Sequence, residues 1–139
     1  MIEFTSDLMT NVEIIDKQHK ALIDCINEIV AIGIDAANKD AIDKHLLFLG
    51  NYVIKHFHDE EQVQIEVGYP KYEQHRKMHQ DFVEDYKVFL AQYKEDGPSV
   101  RFMRHLNQAV IRWIIQHIKD ADLDLAYYIR EKQETASSV

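Results

Sequence analysis

Two stretches, His56-Phe57-His58-Asp59-Glu60 and His75-Arg76-Lys77-Met78-His79, decide how this chain is read. His56 and Glu60 stand four residues apart, and so do His75 and His79. On an α-helix, residues i and i+4 share one face, one turn apart. Each pair can therefore aim two donor atoms at one point. Between the pairs lies Gly68-Tyr69-Pro70. Glycine ends helices and proline lacks the amide hydrogen a helix interior needs. The segment predicts a helical hairpin with a ligand pair on each arm.

Working outward, the second helix runs from about 40 to 67. Its seam is Leu46, Leu49, Val53, His56, Glu60, Val63 and Val67, in alternating steps of three and four. The third runs from about 71 to 94, with seam Tyr72, His75, His79, Phe82, Tyr86, Phe89 and Tyr93. Upstream, Thr10-Asn11-Val12-Glu13 fits a capping box. A first helix follows to about 33–35, with Ile15, His19, Leu22, Ile26 and Ile29 on one face. Asn38 and Asp40 are the candidate caps before the second helix. Downstream, Ser99 follows Gly97-Pro98 and can cap a fourth helix over about 100–118, with seam Leu106, Val110, Trp113 and His117. Lys119-Asp120-Ala121-Asp122 then interrupts, before a short final helix to about Lys132. Residues 1–9 form an arm that Phe4, Leu8 and Met9 can pack onto the body. The expectation is all-α: an up-down-up-down four-helix bundle with an N-terminal arm and a short C-terminal helix. One domain spans 1–133, and 134–139 is a polar tail that could begin a linker.

Composition narrows the class. A length of 139 residues suits one domain with its own core. The single cysteine, Cys25, rules out an intrachain disulfide and fits a reducing, cytoplasmic setting. No apolar run approaches the ~20 residues that span a bilayer, so no membrane segment is expected. A net charge of -8, with no Lys/Arg-rich stripe, argues against nucleic acid as a partner.

Eight histidines in so short a chain is the unusual count. The seams place His19, His56, Glu60, His75, His79 and His117 inside the bundle, drawn from all four helices. A buried carboxylate and unpartnered imidazoles would cost several kcal/mol. No seam lysine or arginine offsets that cost, whereas a metal ion supplies the positive charge and uses the lone pairs. Asp122 lies five residues beyond His117. A five-residue step on a straight helix turns about 500°, so the two diverge by about 140° unless the helix bends between them. Asp122 is either a ligand at such a bend or the cap of the last helix. His45, His58 and His105 fall off the seams and read as surface or boundary residues. Asp16, Asp59 and Glu61 can hydrogen-bond the ligand histidines from outside.

These segments, in this order, resemble the hemerythrin family in its bacterial single-domain form. Asp16-Lys17-Gln18-His19 looks like its first ligand segment, and His56-Phe57-x-x-Glu60-Glu61 its second. Gly68-Tyr69-Pro70 with His75-x-x-x-His79 looks like its third, and Trp113-x-x-x-His117 with Asp122 its fourth. The resemblance covers about residues 4–130. It implies two non-haem iron ions: His75, His79 and His117 on one, His19 and His56 on the other. Glu60 and Asp122 bridge them together with an oxo or hydroxo group. It further implies reversible O2 binding at a position left open on the iron with two histidines. Ile114, where the family often has Leu, and Trp113 stand beside that position. Phe4 stands where the family often has Trp.

The leading functional expectation is a non-enzymatic O2 carrier or store. A second is an O2 or redox sensor domain that reports to a downstream signalling module. A third is a di-iron oxidase or peroxidase, ranked lower because ferritin-like sites are carboxylate-rich. Structural zinc ranks lower still, since it takes four ligands and this set offers more.

Overall fold

The computed structural model describes residues 2–137, and every regular element among them is helical. Three long helices come first: α1 (Glu13–Ile32), α2 (Lys39–Val67) and α3 (Tyr72–Asp96). A fourth column follows, made of α4 (Val100–His105), α5 (Arg112–His117) and α6 (Leu123–Ser137). Its segments are joined by π-helical turns at Leu106–Ile111 and Ile118–Asp122. The backbone at Leu106, Arg112, Ile118 and Leu123 stays right-handed helical, so the column is continuous.

Residue pairing shows the up-down-up-down order. Gln18 meets Asp59 and Glu28 meets His45, so α1 and α2 run antiparallel. Glu61 meets His79, while Leu46 meets Tyr86 and Asp43 meets Tyr93, which sets α3 against α2. Tyr93 packs on Phe102, Phe82 on Trp113, and His79 faces His117, so the last column reverses again. No helix is long and apolar enough to cross a membrane among the described residues.

Local chemistry explains most boundaries. Gly68 takes the left-handed conformation (φ 68°, ψ 39°) and its N–H donates to the carbonyls of Gln64 and Ile65, ending α2 as its sequence predicts. Ser99 Oγ accepts from Phe102 N at 3.0 Å and starts α4. Several boundaries differ from expectation. Thr10 forms no capping box with Glu13. Instead the Asp16 carboxylate accepts from Thr10 N, Thr10 Oγ1 and Asn11 N, which ties the arm to the first turn of α1. Asp16 is thereby occupied away from the seam histidines. Asp35, not Asn38 or Asp40, caps the connector by accepting from Ala37 N at 2.9 Å. The expected interruption at 119–122 is a π-turn, and the final helix extends to Ser137. That carries helix into the stretch expected to be a tail; Ser138 and Val139 lie outside the described residues.

The core fills as the seams require. Ile15, Leu22, Ile26, Leu49, Phe82, Phe89 and Leu106 are all buried. At ~0.8 kcal/mol per buried CH₂ this layer is the main source of stability. Leu8 is buried and Phe4 packs against the core, but Met9 is 44% exposed and takes no part. Tyr128 closes one end by donating to the carbonyls of Val67 and Gly68, while Tyr127 faces outward. Cys25 is buried, its thiol pushed up to about 11 by burial.

Two tests follow from this packing. A Cβ on Gly50 would sit 2.9 Å from the Tyr86 ring, whose hydroxyl is anchored on the Leu46 carbonyl. Alanine gains ~1 kcal/mol of helix propensity, but overpacking typically costs ~1–3 kcal/mol. Gly50→Ala is therefore expected to lose about 1 kcal/mol net in urea denaturation, the difference of those two effects; a stabilised variant would contradict the tight packing. The second test uses His45, which donates from Nδ1 to the Ala41 carbonyl and from Nε2 to Glu28, an arrangement that requires the imidazolium. The Ala41 carbonyl, aided by Glu28 and opposed by burial, raises its pKa above 6.5. A raised folded-state value means the contribution is complete below the unfolded pKa and disappears as pH rises through the folded one. The thermal midpoint of His45→Gln should fall furthest below the parent at pH 5.5 and approach it by pH 9. A pH-independent gap would contradict the charged pairing.

Candidate metal centre

The seam residues of all four columns meet at one level of the bundle. α1 contributes His19, α2 contributes His56 and Glu60, and α3 contributes His75 and His79. α5 ends on His117, and Asp122 closes the π-turn that follows. All seven are buried, and six of them are at most 2% exposed. Their donor atoms fall into two groups. One is Glu60, His75, His79, His117 and Asp122; the other is His19, His56, Glu60 and Asp122.

The carboxylates are shared in a specific way. Glu60 Oε1 lies 2.9 Å from His75 Nε2 and 3.3 Å from His79 Nε2. Its other oxygen, Oε2, lies 3.5 Å from His56 Nε2 and 3.9 Å from His19 Nε2. Asp122 Oδ1 lies 3.0 Å from His75 Nε2 and 3.2 Å from His117 Nε2, whereas Oδ2 lies 2.9 Å from His19 Nε2. Each carboxylate thus turns one oxygen toward the three-histidine group and one toward the two-histidine group.

Asp122 is the residue whose role spacing alone left open. The turn Ile118–Asp122 is π-helical, with i→i+5 hydrogen bonding. An i→i+5 turn places residues five apart one above the other, so Asp122 lies on the face of His117. The bend required for both to share a site is this widened turn. It adds one residue to the helix without breaking it.

The polar atoms have no sufficient protein partners. Both oxygens of Glu60, both of Asp122 and both ring nitrogens of His19 are buried without a hydrogen bond. His117 Nε2 lies 2.9 Å from His75 Nε2 and 3.1 Å from His79 Nε2. Nitrogen lone pairs converging at that distance need a proton or a cation between them. Without a cation, burial pulls His56 down to about 4. Burial also opposes charge on His75, but Asp122 and Glu60 outweigh it and push that ring up to about 9. Burial disfavours ionisation of Glu60 and Asp122 too, yet the facing imidazoles hold both carboxyls below their ordinary range. Metal ions match this donor set: hard carboxylate oxygens and borderline imidazoles, in more positions than one tetrahedral ion uses.

Outside the donors sits a layer that orients them. Glu61 Oε2 accepts from His79 Nδ1 at 2.8 Å, as its flanking position suggested. Gln18 Oε1 accepts from His56 Nδ1 at 2.7 Å, and the Gln64 amide lies 2.9 Å from His75 Nδ1. Neither glutamine was singled out by spacing. Gln64 is buried in the place the seam assigned to Val63, which is half-buried. Phe57 stacks on His79 with ring centres 3.8 Å apart. Trp113 stacks on His117 at 4.4 Å and 10°, which puts it beside the three-histidine group. Ile114 is buried in the adjoining core. His58 is exposed, and His45 and His105 are half-buried away from this cluster.

A four-helix bundle with a buried histidine–carboxylate centre defines a class of metal-binding helical proteins. Comparison with known proteins gives the family. A family model described as the Hemerythrin HHE cation binding domain matches residues 10–129. The chain belongs to the hemerythrin family. It is 29% identical to a bacteriohemerythrin of Pseudomonas aeruginosa over 84% of this chain and 73% of that protein. A bacteriohemerythrin of Stenotrophomonas maltophilia is 23% identical over 88% of this chain and 77% of its own length. A myohemerythrin of Theromyzon tessulatum is 28% identical over 79% and 78% respectively.

Because the π-turn is one residue longer than an α-turn, removing one residue should restore an ordinary helix with Asp122 still facing His117. Deletion of the exposed Lys119 is expected to keep metal uptake, whereas Asp122→Ala loses at least tenfold in affinity, as ligand-shell changes typically do. Dialysis against Co(II) with metal analysis reads both. Equal loss in the two variants would contradict this account of the turn.

Proposed function

We propose that the centre holds two iron ions and that the protein binds O2 reversibly there, as an oxygen carrier or store. The observation that carries this reading is the division of each carboxylate between the two groups. Glu60 and Asp122 each present one oxygen to each group, as bridging ligands between two ions must. In the proposed arrangement His75, His79 and His117 complete one ion, and His19 and His56 serve the other. The donors are unequal in number, three imidazoles against two. An ion held by His19 and His56 would keep a position for an exogenous ligand. When bound, the iron pair supplies the electrons that O2 binding needs, one from each ion.

The chain's own residues do the rest. Buried aromatic and aliphatic neighbours exclude water, which in an apolar bundle slows loss of the bound ligand and oxidation of the metal. Trp113 and Phe57 brace His117 and His79 by stacking. Ile114, buried one turn before His117, is proposed to wall the open position. Histidine-rich ligation favours reversible binding over the oxidation chemistry of carboxylate-rich sites.

Loading with Fe(II) without air should raise the thermal midpoint. At 100 times Kd one site contributes about 2.7 kcal/mol, which for a chain of this size is roughly 10 °C. Exposure to O2 should then produce a visible charge-transfer band that disappears when O2 is removed. Ile114→Ala is expected to bind O2 but to lose the band to irreversible oxidation several-fold faster. Irreversible oxidation of the parent with turnover of an added substrate would overturn the carrier reading. An unchanged Ile114→Ala would remove that residue from the pocket.

A further inference from the structure

The ring nitrogens that face away from the centre are not treated alike. Behind His79 stands a carboxylate, Glu61, accepting directly from Nδ1 at 2.8 Å. Behind His56 stands a neutral amide, Gln18, and only beyond it a carboxylate. Gln18 Nε2 donates to Asp59 Oδ2 at 2.7 Å, while Gln18 Oε1 accepts from His56 Nδ1 at 2.7 Å. Behind His19 no protein group reaches Nδ1. Gln18 is 3% exposed, so solvent does not substitute for either bond.

The chemistry of these partners differs. A histidine that binds a metal through Nε2 must carry its proton on Nδ1, and the acceptor there fixes tautomer and ring orientation. A carboxylate acceptor draws that proton outward and makes the imidazole a stronger donor. A neutral amide does so less, because charge-assisted hydrogen bonds are roughly twice as strong as neutral ones. Asp59 has a second task. By taking the Gln18 N–H it leaves only the amide oxygen to face His56, so the amide cannot turn its N–H toward Nδ1. Lys55 Nζ lies 3.5 Å from Asp59 Oδ2 and further spends its charge on the surface.

We propose that Gln18 and Glu61 are positioning residues that make the two halves of the centre unequal. The direct carboxylate strengthens His79 in the three-histidine half, where the Gln64 amide nitrogen lies behind His75, and the interposed amide holds His56 of the two-histidine half to weaker donation. This inference rests on the two-ion reading above. In the half with fewer donors His56 lacks the direct carboxylate that stands behind His79, which would leave an ion held there the more ready to take an exogenous ligand.

The test is a pair of isosteric exchanges read by Co(II) titration of the full chain without iron or O2. The parent should take up two ions with separable affinities. The double variant Gln18→Glu with Asp59→Asn keeps both hydrogen bonds and the net charge but moves the carboxylate directly behind His56. It should tighten the weaker site about tenfold, within the range seen for outer-shell partners. Glu61→Gln keeps its hydrogen bond and loses the charge, and should weaken the tighter site about tenfold. Both changes narrow the gap between the two affinities. In the Zn(II)-loaded protein the Nδ1–H resonances of His56 and His79 should move in opposite directions, which a role limited to holding the rings in place would not produce. Affinities within twofold of the parent in both variants, or changes in the same direction, would overturn the inference and leave O2 binding untouched. Uptake of a single ion by the parent would overturn the two-ion reading and this inference with it. Should the double variant fail to fold, Glu61→Gln alone decides, because Glu61 lies at the surface edge of the layer.

Discussion

Two carboxylates, Glu60 and Asp122, sit at the centre of the bundle with at most 1% exposure and no hydrogen bond to either oxygen. In an apolar interior that arrangement is costly by several kcal/mol per unpaired charge. Five imidazoles surround them and can offset the charge only by taking up protons or by sharing a cation. The first solution is uneven, leaving His56 neutral and His75 protonated near neutral pH. The second gives the carboxylate oxygens and the inward Nε2 atoms a common partner. The rest of the molecule can be understood as the support this cluster requires. Four columns are needed to bring seven side chains to one level, and the aliphatic layers above and below keep water out.

Support is also visible around the individual rings. Phe57 and Trp113 lie flat on His79 and His117, so their rotation is limited by stacking. Glu61, Gln18 and Gln64 hold Nδ1 of His79, His56 and His75, so Nε2 is the atom presented inward. The π-turn at Ile118–Asp122 supplies the remaining alignment. It keeps the fourth column continuous while bringing Asp122 beneath His117. The same column carries another π-turn at Leu106–Ile111, in the aliphatic part of the core.

Much of this was legible in the sequence because both the fold and the clustered histidines obey helical periodicity. Three- and four-residue steps revealed four seams, and the histidines stood where aliphatic residues belong. What periodicity could not give was anything that departs from it. Asp122 lies off a regular helix, so its place depended on a turn type that spacing does not encode. The seam on α2 followed a strict heptad to Val63, but a straight helix drifts about 20° per heptad from that repeat. By the end of a 29-residue helix the drift brings Gln64 inward in place of Val63. Gln18 was invisible for another reason: a lone polar residue beside a seam histidine has no pattern of its own. At the N-terminus, Thr10 and Glu13 matched the spacing of a capping box, but the Asp16 carboxylate competed for the same donors and won them. The connector differed similarly, since a short polar segment offers several caps of nearly equal strength and Asp35 took the role.

In the proposed arrangement the bundle holds two metal ions joined through Glu60 and Asp122. Diffraction from crystals loaded with Fe(II), with anomalous data collected on both sides of the iron edge, addresses it most directly. Two peaks are expected, one among His75, His79 and His117 and one between His19 and His56, with Glu60 and Asp122 spanning both. A single peak, or iron bound outside these seven residues, would contradict it.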